Sequence, residues 1–257
     1  MDILKDILQE KKDSVSWFNS NEFEQAVYDA ITHNQKKTRR SKKKSFSPST
    51  LAQDHGKCPR YWYLAFTGGD FNNEHSPQTE VAFRVGQDRH SHLQQAMKEA
   101  GMMLHDEVEL RSEDPPILAF ADGIVMWNNE MVVVEIKTTR HEGLKYREER
   151  GNPTRKHEEQ LILYMKLLRY AHGIVLYESK NTHELVAVPV DVTPKNKKWA
   201  DDAFEWMRSV YAAWSTGHVL KRGYRKGSKV CQQCPLQAMC DEYDPGDTKI
   251  PRLEPLK

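Results

Sequence analysis

Ile117-Leu118-Ala119-Phe120-Ala121-Asp122-Gly123-Ile124-Val125-Met126-Trp127, then Asn128-Asn129, then Glu130-Met131-Val132-Val133-Val134-Glu135-Ile136-Lys137-Thr138 is the stretch from which the fold can be read. Two runs rich in β-branched and apolar residues flank a dipeptide suited to the positive φ angles of a two-residue hairpin turn. That turn sets a register in which Trp127 faces Glu130, Val125 faces Val132 and Asp122 faces Glu135. Side chains alternate along a strand, so Lys137 shares the face of Glu135 while Val134 and Ile136 point the other way. The Val132-Val133-Val134 run reads as a strand buried on both faces. Carboxylates opposed across such a pair, with Cβ atoms roughly 5 Å apart, repel each other. A divalent cation between them removes the penalty, and hard oxygen ligands suit magnesium or manganese. The competing reading is an exposed sheet face with ordinary surface charges.

Outward from this hairpin, helical periodicity over 79–100 lines up Gly86, His90, Leu93 and Met97 on one inward stripe, with His92 off it. Strands are expected at 103–110, 117–126 and 131–138, and again at 173–178 and 184–192. Helices are expected at 158–171 and from about 197 to 216, the latter ended by Gly217. Dense charge and Gly151-Asn152-Pro153 make 140–156 read as a mobile loop. Residues 1–33 read as two short helices, with Asn19 or Asn21 capping the second. The basic block Lys36-Lys37-Thr38-Arg39-Arg40-Ser41-Lys42-Lys43-Lys44 reads as a linker, and Ser47-Pro48 restarts order. This alternation makes an α/β (α+β) fold.

The chain has 257 residues, 38% of them hydrophobic and 29% charged, enough for one large domain with a real core. No apolar run reaches the roughly 18 residues that a membrane span needs, and the first residues lack the pattern of a secretory signal. An intracellular, cytoplasmic protein without membrane contact is expected. Lys plus Arg, 38, nearly cancels Asp plus Glu, 37, so any nucleic-acid signal is local. It falls at the block above and at Lys221-Arg222-Gly223-Tyr224-Arg225-Lys226-Gly227-Ser228-Lys229. Four cysteines, Cys58, Cys231, Cys234 and Cys240, read in such a chain as metal ligands rather than disulfides, for either zinc or an iron–sulfur cluster.

Asp122 followed by Glu135-Ile136-Lys137, a D-x12-E-x-K spacing, resembles the signature of the PD-(D/E)XK nuclease superfamily; Ala121 stands where the family usually has Pro or another apolar residue. Gly86-x3-His90 and Gln160-x3-Tyr164 resemble the helix motifs of its RecB-like branch. The resemblance implies a restriction-endonuclease-like core, a central mixed sheet flanked by helices. It makes Asp122, Glu135, Lys137, Gln160 and Tyr164 catalytic-site residues, and His90, Asp122, Glu135 and the Ile136 carbonyl ligands of Mg2+ or Mn2+.

Cys58 ahead of these motifs and Cys231-x2-Cys234-x5-Cys240 behind them resemble the iron–sulfur nucleases of that branch, the CRISPR-associated exonucleases among them. A [4Fe-4S] cluster is implied, Zn2+ being the alternative, as a clamp between the N- and C-terminal parts. Arg60, Tyr61 and Trp62 beside it would give cations and aromatic faces to a DNA strand. The expected division is 1–45 helical extension and basic linker, 46–243 nuclease domain with the iron–sulfur module, and 244–257 tail. The implied activity is a metal-dependent deoxyribonuclease, exonuclease over endonuclease, on single strands or DNA ends, with room for protein partners in a DNA-processing complex. The alternatives are a catalytically silent DNA-binding or assembly protein on the same fold, and a zinc-stabilised adaptor.

Overall fold

Asn128 and Asn129 take φ angles of 50° and 65°, and the strands they join pair Trp127 with Glu130, Val125 with Val132 and Gly123 with Val134, as the count from the turn requires. This hairpin is the middle of a computed structural model that describes residues 19–32, 38–72 and 76–257.

A first helix, α1 (Ser20–Thr32), is capped by Asn19, whose Oδ1 accepts from the backbone N–H of Asn21 and Glu22. The helix expected before it, and residues 33–37 of the basic block, lie outside the described residues. The rest of that block is not a linker: β1 (Thr38–Ser41) pairs antiparallel with β2 (Gly69–Asn72). Lys42 and Lys43 then lie over the rings of Trp214 and Trp62. Between these strands run α2 (Pro48–Leu51) and α3 (Pro59–Thr67), each with its proline in the first turn, where no N–H is required.

Next come α4 (Pro77–Glu99), β3 (Met103–Glu113), β4 (Pro116–Trp127), β5 (Glu130–Thr139), α5 (His141–Arg150), α6 (Arg155–Leu168), β6 (His172–Ser179), β7 (Leu185–Asp191) and α7 (Pro194–Ser215). The strands form a five-stranded sheet in the order β3-β4-β5-β6-β7, parallel only between β5 and β6. The fold is therefore α+β, a mixed central sheet flanked by helices. A parallel pair needs a crossover, and α5 with α6 provides it. Residues 140–156 are thus mostly helix rather than a mobile loop: Leu144 is fully buried, and Gly151, at φ 64°, ends α5 in the left-handed region.

Val133, Val175 and Val188 belong to the main core with Leu161 and Met165 of α6 and Ala203 and Met207 of α7. Val125, Val132, Val134 and Ile136 pack in a second core with Leu93 of α4, so all three valines of the run are buried. The inward stripe of α4 is as the periodicity predicts.

Two short helices, α8 (Lys229–Gln232) and α9 (Gln237–Glu242), carry the late cysteines. Residues 244–257 are no loose tail. Leu253 and Leu256 are buried, the indoles of Trp206 and Trp199 donate to the carbonyls of Pro251 and Glu254, and the Leu253 N–H donates to Lys57 O. Beneath this strap Lys57 and Glu159 form a buried ion pair at 2.7 Å, and Glu159 Oε1 also accepts from the Leu256 N–H. Among the described residues no helix is long and apolar enough to cross a membrane.

Candidate active site and cysteine cluster

The β4–β5 ladder stops at Gly123–Val134, whereas the β5–β6 ladder continues to Thr139–Ser179. Past Gly123, β4 parts from β5, and the acids sit at that parting. Asp122 and Glu135 are therefore not a ladder pair, one step short of the expected register. Instead Asp122 Oδ2 reaches across the gap and accepts from the Ile136 N–H at 2.6 Å. This bond replaces a missing rung, and so fixes the carboxylate against the strand that carries Glu135. Asp122 Oδ1 faces His90 Nδ1 at 3.5 Å. Ile136 itself buries its side chain in the second core.

Glu135 is 1% exposed. Its Oε1 takes the Lys137 ammonium and the Gln160 amide, the latter at 2.7 Å. The Gln160 amide also donates to the Tyr164 hydroxyl at 2.9 Å, so the two residues share a helix face and act on one acid. Among the described residues Glu135 Oε2 is buried without a hydrogen-bond partner. Burial first, then the Asp122 charge, pushes the Glu135 carboxyl up to about 7, with Lys137 and His90 opposing. His90, Asp122, Glu135, Lys137, Gln160 and Tyr164 thus converge on one place.

The helix α4 is tied to the sheet beside this cluster. Arg89 makes a two-point ion pair with the buried Glu178 of β6, at 3.0 and 2.6 Å, and His183 adds a third contact at 3.0 Å. Gln94, one turn beyond His90, donates from Nε2 to Asp122 O and to Glu107 Oε1, both at 2.8 Å. Neither Gln94 nor Glu107 stands out in the sequence. Gln94 could have been found as His90 plus four on the inward stripe, but Glu107 required the β3–β4 register.

All four cysteines line one cavity, with Tyr61, Leu64, Arg222 and Leu236. Three donors already point at their sulfurs: Arg60 Nε and Arg222 Nε at Cys240 Sγ, each at 3.2 Å, and the Gly223 N–H at Cys58 Sγ, at 3.3 Å. Burial first, then Cys58, Cys240 and Cys231, pushes the Cys234 thiol up to about 12. Such a donor set fits a group held by four thiolates.

Arg60, Tyr61 and Trp62 do not meet their expectation as a strand-binding face. Arg60 is buried and holds the carbonyls of Leu220, Tyr243 and Asp244 as well as Cys240, while Trp62 is fully buried and donates to Gly56 O. Tyr61 is buried too. The exposed cations nearby are Lys221, Arg225, Lys226 and Lys229.

Among the described residues no three His, Cys, Asp or Glu side chains already stand close enough together to grip a metal ion. In the acidic cluster the Lys137 ammonium occupies one Glu135 oxygen, so the fit to a cation rests on the other, orphaned oxygen and on the hard His–carboxylate donor set.

Residues 116–241 match the family model described as the PD-(D/E)XK nuclease superfamily. No curated protein matches the chain in sequence. Among solved structures, SSO0001 is similar at 17% identity and a TM-score of 0.47, over 87% of this chain and 96% of that one. An alkaline exonuclease, LHK-Exo, from Laribacter hongkongensis is similar at 11% identity and a TM-score of 0.46, over 67% of this chain and 90% of that one. A phage related exonuclease from Haemophilus somnus 129PT is similar at 10% identity and a TM-score of 0.34, over 47% and 66%.

Proposed function

We propose that the PD-(D/E)XK nuclease superfamily domain spanning residues 116–241 makes this protein a divalent-metal-dependent deoxyribonuclease of the RecB-like kind, an exonuclease acting on single strands or DNA ends. One observation carries the reading: Glu135 spends one oxygen on Lys137 and Gln160 and keeps the other buried with no partner among the described residues. Leaving such a group unsatisfied is costly, and is tolerated where a ligand supplies the partner.

His90, Asp122, Glu135 and the Ile136 carbonyl would hold Mg2+ or Mn2+. A cation bound there polarises the scissile phosphate and lowers the pKa of water. The chain's own groups do the rest. Lys137, part-exposed, orients the attacking water and offsets charge gathering on phosphorus. Gln160, braced by Tyr164, fixes Glu135 through Oε1 and so leaves Oε2 for a ligand. Arg89 and Gln94 hold His90 and Asp122 in place from α4.

The four cysteines are assigned to a [4Fe-4S] cluster, with zinc the alternative, and the N–H donors aimed at two of the sulfurs support a group whose sulfurs carry negative charge. Equal iron and acid-labile sulfide in anaerobically purified, brown protein is the expected analysis; stoichiometric zinc in a colourless sample would overturn the assignment.

Digestion of DNA strands labelled separately at each end, with Mn2+ and with a chelator, tests the activity. Progressive loss of one end label, only with the cation, is expected. Strands that are retained on the protein but stay intact would return the catalytically silent DNA-binding reading.

A further inference from the structure

The crossover helix α5 begins where β5 ends, just beyond Lys137, and it turns one large ring to solvent. Tyr146 is 47% exposed. The guanidiniums of Arg147 and Arg150 lie over it, at 4.5 and 5.4 Å from the ring centre. Glu148 and Glu149 stand between these arginines in sequence, yet Glu148 pairs with Lys145, and among the described residues neither guanidinium has a carboxylate partner. Two unpaired cations on an exposed aromatic face suit a partner that is anionic and has flat rings of its own.

His157 joins this ring to the cleft. Lys137 and Tyr177 are register partners on β5 and β6, and the His157 ring lies against Tyr177 with centroids 5.6 Å apart. The Tyr177 hydroxyl accepts from the Thr154 N–H at 3.0 Å, which leaves its own proton for His157 Nδ1 at 2.8 Å. That bond fixes the tautomer with its proton on Nε2, and among the described residues Nε2 has no partner. Burial first, then the charges of Lys137, Arg147 and Lys156, pushes the imidazole down to about 3, so it is a neutral donor set among cations. Gln160, one turn further along α6, holds Glu135. A line of donors thus runs from the acids, through Lys137 and His157, to α5.

We propose that α5 and His157 form a seat for a single DNA strand beside the cleft: one backbone phosphate is held by His157 Nε2–H and the Arg147 guanidinium, and the neighbouring base stacks on Tyr146. The seat rests on the nuclease reading above. A base takes the place of a guanidinium on the ring, and the displaced guanidinium finds a phosphate to pair with. A duplex keeps its bases stacked inside and offers this surface phosphates only, so the ring marks the seat as one for a single strand.

Single-turnover release of an end label from a single strand, with Mn2+ and rising protein concentration, reads strand affinity and saturating rate separately. Tyr146→Ala is expected to need about tenfold more protein for half-maximal rate and to keep the saturating rate within about twofold, while Tyr146→Phe, which keeps the ring face, behaves as wild type. One abasic residue, stepped along the strand, is expected at one position to cost wild type that same factor and Tyr146→Ala nothing more, the signature of a base on that ring. Arg147→Gln should lower the salt dependence by about one phosphate contact. Wild-type half-saturation in Tyr146→Ala, or an abasic penalty equal in both proteins at every position, overturns the seat. Wild-type protein that releases no label sinks the nuclease reading and the seat with it; release that Tyr146→Ala leaves unaltered sinks the seat alone.

Discussion

Glu135 is a carboxylate held at an energetic disadvantage. Burial and Asp122 lift its pKa from the ordinary carboxylate range to about 7, so without a cation the folded protein keeps a proton that the unfolded chain has already released. The sign follows: between about pH 4.5 and pH 7 the unfolded state binds fewer protons, and stability falls as pH rises. Glu135→Gln removes this dependence. In cation-free buffer the variant should gain stability relative to wild type as pH rises through that window, the gain levelling off above it; urea midpoints measure the gap, and a gap constant with pH would contradict the account. Added Mn2+ should reverse the order, stabilising wild type and not the variant. The meeting of the two acids was legible from the hairpin register, and His90 and the Gln–Tyr pair from the resemblance of their spacings to family motifs, helped by helix periodicity. Arg60-Tyr61-Trp62 was misread because a cation among aromatic rings has one composition whether it faces DNA or, as here, a core of carbonyls and rings. Glu107 gave no signal, since nothing local marks an acid that only the pairing of β3 with β4 brings to the site.

Among the elements, the C-terminal strap makes a sharp prediction. Leu253 and Leu256 are buried, and the Leu256 N–H caps the Glu159 side of a buried ion pair. Burying a leucine stabilises by about 1.5–3 kcal/mol, so deleting 251–257 should cost about 3 kcal/mol or more and leave Glu159 with an unmet acceptor. A urea midpoint that does not move would mean that the strap is decoration. Its prolines made it read as a tail, because a segment without periodicity shows no burial in sequence. The α5 helix was hidden for a related reason: Leu144 is its single buried side chain, too little to mark a face amid dense charge. The hairpin was readable to its register, since Asn128-Asn129 admits few turns; the departure of β4 from β5 past Gly123 was not, since it depends on the Asp122 carboxylate bonding to Ile136.

At the scale of the whole molecule, Cys58 at the start of the body and Cys231, Cys234 and Cys240 near its end meet at one cavity, although well over a hundred residues separate them. A group bound by all four would tie α3 to the late helices, beside Arg60, which already holds the carbonyls of Leu220, Tyr243 and Asp244. Cys58→Ser should therefore lose the bound metal and also lower the melting temperature, with faster proteolysis in 221–229; retention of both metal and melting temperature would rule out the clamp. The cleft at the parting of β4 and β5 and the cysteine cavity are built from different side chains, so clamp and chemistry can be tested separately. The most direct measurement is the single-turnover rate of DNA hydrolysis with Mn2+ for wild type, Lys137→Ala and Glu135→Gln. Both variants, folded and at saturating DNA, should be slower by at least about a hundredfold; hydrolysis at the wild-type rate in either would leave the acids and lysine of the hairpin without a part in the reaction.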